Sequence, residues 1–161
     1  SRVNYLVTSH IDYCNSLLNG IPKTTLHKLQ NVQNTATRLF TRTFHRSHIT
    51  PVLKDLHWLP IQYRIQFKIL VLVYKALQGQ SSLYIKNLLQ VYTPTINLQS
   101  QNNATALEVP KTRKVMFESQ KFATAGLRLW NTIPEGIRDS GPRAIFKTSL
   151  KTHFFIQIYR Q

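Results

Sequence analysis

Cysteine is almost missing from this chain: Cys14 is the only one in 161 residues. An internal disulfide is therefore excluded, and the composition fits a reducing compartment, nucleus or cytoplasm. Glycine is scarce at five, and no GxGxxG or GxxxxGKS run occurs, which argues against a glycine-rich nucleotide-binding loop. Long hydrophobic runs are missing too. The most apolar stretch, Ile69 to Val73, is preceded by Arg64 and Lys68 and followed by Lys75, so it is too short to span a bilayer. No signal peptide or lipidation pattern is visible, and no membrane partner is expected. The chain begins Ser-Arg-Val without a methionine and reads as a piece of something longer.

Acid is scarce as well. Six Asp plus Glu face 21 Lys plus Arg, for a formal charge of +15. Two-metal nucleotidyl transfer needs carboxylates gathered around ions about 4 Å apart. Asp12, Asp55, Glu108, Glu118, Glu135 and Asp139 never come closer in sequence than four residues, which argues against a nuclease or polymerase centre. His45 and His48 lie three apart, and His10 lies four before Cys14. Neither pair completes a four-ligand set. No catalytic residue, metal or cofactor is expected. The unopposed positive charge instead attracts polyanions, with an affinity that depends on salt and carries no sequence specificity by itself.

What the chain does contain is a core. Apolar residues make up 42%, including eight Phe and seven Tyr, and the periodicity is helical. The expected fold is mostly α, a helical bundle with at most a small β-hairpin in the second half. Residues 1 to 92 read as one helical domain, and residues 93 to 161 as a loop or hairpin followed by two helices. Val3, Leu6, Val7, Cys14, Leu17 and Leu18 follow helical spacing up to Asn19-Gly20. Leu26, Leu29, Val32, Ala36, Leu39 and Phe40 form a stripe at spacings of three and four. That stripe predicts a helix from Thr24 to about Thr43, with its apolar face in the core, paired with the first segment as an antiparallel hairpin.

The run HITPVLKDLHWLP predicts a short helix with Thr50 as N-cap and Pro51 at its first position. Pro60 should end it and open a central helix from Ile61 to about Leu77, which stops before Gly79. Trp58, Leu59 and Trp130 are the expected core anchors, with Tyr63, Phe67 and Leu70 largely buried. His57 should donate a ring N–H to a backbone carbonyl freed at the helix end. A short helix is expected from Leu83 to Gln90, and weak strands near Ala106–Val109 and Lys114–Phe117. Two further helices should follow, Lys121 to Thr132 and one with Pro142 near its start.

The cations are phased. His27, Asn34, Arg38 and Arg42 share a helix face opposite the leucines. Arg64 and Lys68 are four apart, as are Arg143, Lys147 and Lys151. Such rows can follow a phosphate backbone, so these seven cations are the candidate nucleic-acid contacts. A groove crossing Arg38, Arg42, Arg64 and Lys68 is the expected path.

The series YCNSLLNGIP, LQNVQNTATRL, HITPVLKDLHWLPIQYRIQFKILVLVYKAL, YIKNLL, LRLWNTIP and FKTSLKTHFF resembles the C-terminal end of reverse transcriptases from LINE-type (non-LTR) retrotransposons. The likeness runs in order over nearly the whole chain. It implies that residues 1 to about 43 are thumb helices and the rest is the post-thumb region. It also implies that the polymerase palm, the fingers and the endonuclease of the parent element are not part of this sequence. Where relatives commonly read RxLRS, Thr95 to Ser100 read TINLQS, a departure that fits a decayed or host-adopted copy. The resemblance implies a noncatalytic piece of an RNA-directed DNA polymerase that grips template and primer RNA, or target DNA, by its backbone. The competing reading is a host-adopted helical module that binds a protein partner. Apolar residues left exposed on the second helix would favour that reading.

Overall fold

The computed structural model describes residues 22–44, 46–81 and 118–159. Among these residues there are six α-helices and no strand. They are α1 (Lys23–Thr41), α2 (Ile49–Asp55), α3 (Ile61–Leu77), α4 (Glu118–Thr132), α5 (Glu135–Arg138) and α6 (Arg143–Tyr159). The fold is mostly α-helical, as the periodicity predicts. The first helical segment and its hairpin with α1, His45, the helix at 83–90, both weak strands and the division near residue 92 all lie outside the described residues.

Two compact units divide the chain. One comprises the residues up to Gln66 together with those from Thr152 onward, and the other runs from Phe67 to Lys151. The helices α3 and α6 contribute residues to both.

The first unit is organised around the corner at Pro60. Proline cannot continue the preceding turn, so the Leu59 carbonyl and the Ile61 N–H flanking it need partners from elsewhere. They find them on α1. Gln33 Nε2 donates to the Leu59 carbonyl at 3.1 Å, and the Ile61 N–H donates to Gln30 Oε1 at 2.9 Å. Gln33 is 1% exposed and Thr37 is fully buried, while Val32, Leu39 and Phe40 stay exposed. The expectation that the apolar stripe of α1 faces the core is therefore corrected. The helix turns a polar edge inward because the corner requires hydrogen-bond partners more than it requires hydrocarbon. Thr37 Oγ1 donates back to the Gln33 carbonyl at 2.7 Å, which leaves no buried hydroxyl unpaired there.

Two further details of the corner differ from expectation. The helix α2 starts at Ile49 with His48 at the cap position and no side-chain cap, so Thr50 and Pro51 are its second and third residues. Proline is tolerated there because the first-turn N–H groups have no intrahelical acceptor anyway. Trp58 is only half-buried, as are Tyr63 and Phe67, whereas Leu59, Leu70 and Trp130 are buried. The Trp58 indole stacks at 6.5 Å on Phe40, itself open to solvent, so it covers an edge rather than filling a centre.

His57 closes α2. It has φ +53, its N–H bonds the Lys54 carbonyl and the Trp58 N–H bonds the Leu53 carbonyl, the pattern that normally recruits glycine. Its ring Nδ1 lies 3.2 Å from the Asp55 carbonyl at the helix end. The ring also stacks on Phe155 at 5.1 Å, although the residue is exposed.

Tyr159 ties the end of α6 to this corner, donating its hydroxyl to the Trp58 carbonyl at 2.8 Å. Burial raises the phenol above its ordinary pKa. A raised phenol contributes stability that is fully present below the unfolded tyrosine pKa and is lost as pH rises through the folded one. Tyr159→Phe is expected to cost about 1 kcal/mol at neutral pH by orphaning the Trp58 carbonyl. Denaturant titrations of the parent protein should show destabilisation as pH rises above the ordinary tyrosine range, and the variant should lose part of it.

In the second unit an aromatic group holds α3, α4 and α6 together. Phe146 stacks on Tyr74 at 4.2 Å and lies 5.8 Å from Trp130. Ile69, Leu70, Val73, Leu127, Ile133 and Leu150 are buried around them. The Tyr74 hydroxyl donates to the Gly141 carbonyl, fastening the loop ahead of α6. Gly126 allows α4 to approach α3 closely, since a Cβ there would meet Val73 Cγ2 at 3.0 Å. The end of α3 is set by Gly79 at φ +69, with the Gln80 N–H bonding the Lys75 carbonyl.

Candidate nucleic-acid interface

On α6 the buried residues Phe146, Leu150 and Phe154 recur every four positions. Arg143, Lys147 and Lys151 keep the same spacing on the neighbouring edge. Helical geometry thus sets a cationic row directly beside the row that anchors the helix. On α3, Lys68 and Lys75 are seven residues apart, two turns along one edge.

Packing in the second unit brings these two edges together. The Lys147 ammonium is held below the ordinary lysine range, first by burial and then by repulsion from Arg143, Lys75 and Lys68. Four cations on two helices therefore share one electrostatic environment, and no carboxylate of the described residues contributes to the shift. Lys147, Lys68 and Lys75 are partly buried and Arg143 is exposed. Lys151 is exposed one turn further along α6.

A depressed lysine pKa has a definite sign. The penalty for holding the charged form is fully present below the folded pKa, and it is relieved as pH rises toward the ordinary lysine value. At neutral pH the same relief requires an anion. Several like charges this close suit a polyanion better than a single small ion.

The other expected contacts are arranged differently. Arg38, Arg42 and Arg64 belong to the first unit and Lys68 to the second. Arg38 folds its Nη2 onto the Ser47 carbonyl at 3.3 Å, so part of its guanidinium holds the loop after α1. In its row, Asn34 accepts a hydrogen bond from Gln30 at 2.9 Å, and His27 pairs with Asn31 at 3.2 Å. Arg42 is exposed and occupies a left-handed position just past α1, at φ 53 and ψ 32.

Comparison with protein-family models, curated proteins and solved structures returns no match. Sequence reasoning named Lys68, Arg143 and Lys147 as contacts but passed over Lys75, which it treated only as the charge that closes the apolar run Ile69 to Val73. The seven-residue interval from Lys68 was the available signal.

Among the described residues, no group of three His, Cys, Asp or Glu side chains could hold a metal ion. Among the same residues, no helix is long and apolar enough to cross a membrane.

Arg42 offers a clean separation of charge from fold. A residue with a Cβ in the left-handed region is strained, and glycine relieves that strain. Arg42→Gly is expected to raise stability by about 0.5–1 kcal/mol in denaturant titrations. If Arg42 touches a phosphate, the same change lowers the log–log salt slope of duplex DNA binding by about 0.9.

Proposed function

We propose that this chain is a noncatalytic, nucleic-acid-gripping part of a LINE-type retrotransposon reverse transcriptase, from its thumb and post-thumb region. The observation that carries the grip is the cluster of Lys68, Lys75, Arg143 and Lys147, in which burial first, and then repulsion from the other three, lowers the Lys147 pKa. A phosphate backbone is the partner that relieves several such charges at once. Contacts of this kind position a duplex without reading its bases, which suits a support beside a polymerase palm. The A-form geometry of a template–primer hybrid would be met by shape and backbone. The ordered likeness of the sequence to that family supplies the rest of the reading, and the palm, fingers and endonuclease belong to other parts of such a protein.

A second reading is favoured by one observation. Val32, Leu39, Phe40 and Phe44 are all exposed, Leu39 at 73% and Phe44 at 83%. An apolar edge of this kind fits a protein partner. In the parent polymerase that partner would be the palm and fingers, and in a host-adopted copy it would be a host protein.

One pair of assays tests the grip. The chain is expected to bind duplex DNA and structured RNA with little sequence preference, and to show neither polymerase nor nuclease activity with Mg²⁺ or Mn²⁺. Strong discrimination between unrelated sequences, or turnover of any nucleic-acid substrate, would overturn the reading.

A further inference from the structure

We propose that the end of α1 carries a stacking site for unpaired nucleobases, built from Phe40 and Phe44 between Arg38, Arg42 and Arg46. The inference goes beyond the backbone grip above, since it concerns the first unit and single strands in place of duplexes.

The pattern is already present in the chain. From Arg38 to Arg46, arginine and phenylalanine alternate at every second residue, as RLFTRTFHR. A single exposed phenylalanine is ordinary on a protein surface. Two of them interleaved with cations are not. All five residues belong to the first unit, where Asp55 is the one carboxylate among the described residues.

Local structure presents the rings to solvent. The helix α1 ends at Arg42 in the left-handed region, which turns the chain away from the helix axis. The Thr43 N–H bonds the Arg38 carbonyl at 3.1 Å, and the Ser47 N–H bonds the Phe44 carbonyl at 3.0 Å. Arg38 Nη2 reaches the Ser47 carbonyl. The backbone on both sides of Phe44 is thus hydrogen-bonded, yet the ring stays 83% exposed. Phe40 stacks on Trp58 at 6.5 Å, with 20° between the ring planes, and still keeps 41% of its surface open.

The chemistry of this edge selects its occupant. A nucleobase offers a flat π-face to each ring, and the phosphates that join successive bases need cations close to the rings. Arg42 and Arg46, both exposed, stand two residues to either side of Phe44. The aliphatic residues Val32 and Leu39 lie two turns apart on one line of α1, and Phe40 lies about 100° round the helix from Leu39. Rings and aliphatics therefore form no single apolar face for a protein. A duplex hides its base faces inside the stack, so the site takes single strands.

The test measures Kd of the whole chain for labelled oligothymidylate, oligouridylate and a DNA duplex across a salt series, with Phe44→Leu and Phe44→Tyr as variants. Leucine keeps an apolar side chain without a π-face, and at so exposed a position the fold is not at stake. Phe44→Leu should bind single strands roughly five- to a hundredfold more weakly, the range spanned by losing one stacked base, with its salt slope unchanged. Its duplex affinity should equal the parent's, and Phe44→Tyr should bind as the parent does. Ring dependence in either single-strand arm supports the site, and the arm that shows it names the sugar. A Phe44→Leu variant with the parent's affinity for both single strands overturns the inference, as does an equal loss on the duplex. A free chain that self-associates through Phe44 in sedimentation overturns it too, because the ring then belongs to a second copy. A parent that binds duplex but no single strand removes this site and leaves the grip intact. Ring-dependent single-strand binding without salt-dependent duplex affinity does the reverse.

Discussion

Phe146→Ala is expected to cost about 3–5 kcal/mol, the scale of an emptied aromatic site that the surroundings cannot close. Phe146 is fully buried, stacked on Tyr74 and next to Trp130. Its removal opens a space bounded by two large rings, and rings of that size relax poorly. The loss is comparable to the whole stability of a marginal domain, so the variant should lie near its unfolding midpoint without denaturant. Phe44→Ala is the matched control, because Phe44 is 83% exposed and should shift the urea midpoint very little. Trp58→Ala should fall between the two, since its ring is only half-buried. Equal midpoints for the Phe146 and Phe44 variants would show that the aromatic group is not the core of its unit.

The contrast between Phe146 and Trp58 shows how far local pattern reaches. The boundaries of the central helix were legible from backbone chemistry, whereas Thr50 and Pro51 misplaced the start of α2. Pro60 and Gly79 bracket α3, whose range of Ile61 to Leu77 agrees with the reading from sequence. The contact of the His57 ring with a carbonyl at a helix end was legible for the same reason, since it depends on neighbours two residues away. The inward face of α1 was not. It depends on Gln30 and Gln33 meeting backbone groups 31 and 26 residues further on, and hydrophobic periodicity is blind to that demand. Its rule of apolar-inward failed where a broken turn needed polar partners.

The candidate site divides the same way. Spacing along single helices revealed the rows containing Lys68 and containing Arg143 and Lys147. Joining them into one cluster, and adding Lys75, required α3 and α6 to pack side by side.

The second large effect concerns that cluster. Replacing Lys68, Lys75, Arg143 and Lys147 together by glutamine is expected to reduce the log–log salt slope for duplex DNA by roughly 3–4, if each neutralises one phosphate. Over a fourfold rise in salt, four such contacts account for about a hundredfold loss of affinity, which the quadruple variant should no longer show. The free protein should be slightly more stable at low salt, because the like-charged pair Arg143 and Lys147, one helical turn apart, destabilises by roughly 0.2–0.5 kcal/mol. Screening makes that gain fade as salt rises. Affinity lost and stability gained by the same substitutions is the pattern of a site kept for a ligand. A quadruple variant that binds as the parent does would place the contacts on other cations, with Arg38, Arg42, Arg64 and Lys151 next to be tested.

The most direct test of the grip is the salt dependence of the unaltered chain. Its Kd for a labelled DNA duplex, measured from low to moderate salt, should rise steeply, with a log–log slope of at least about 3–4 for four or more phosphates neutralised. Binding that is absent, or a Kd indifferent to salt, would contradict the nucleic-acid account and leave the exposed apolar edge of α1 as the functional surface.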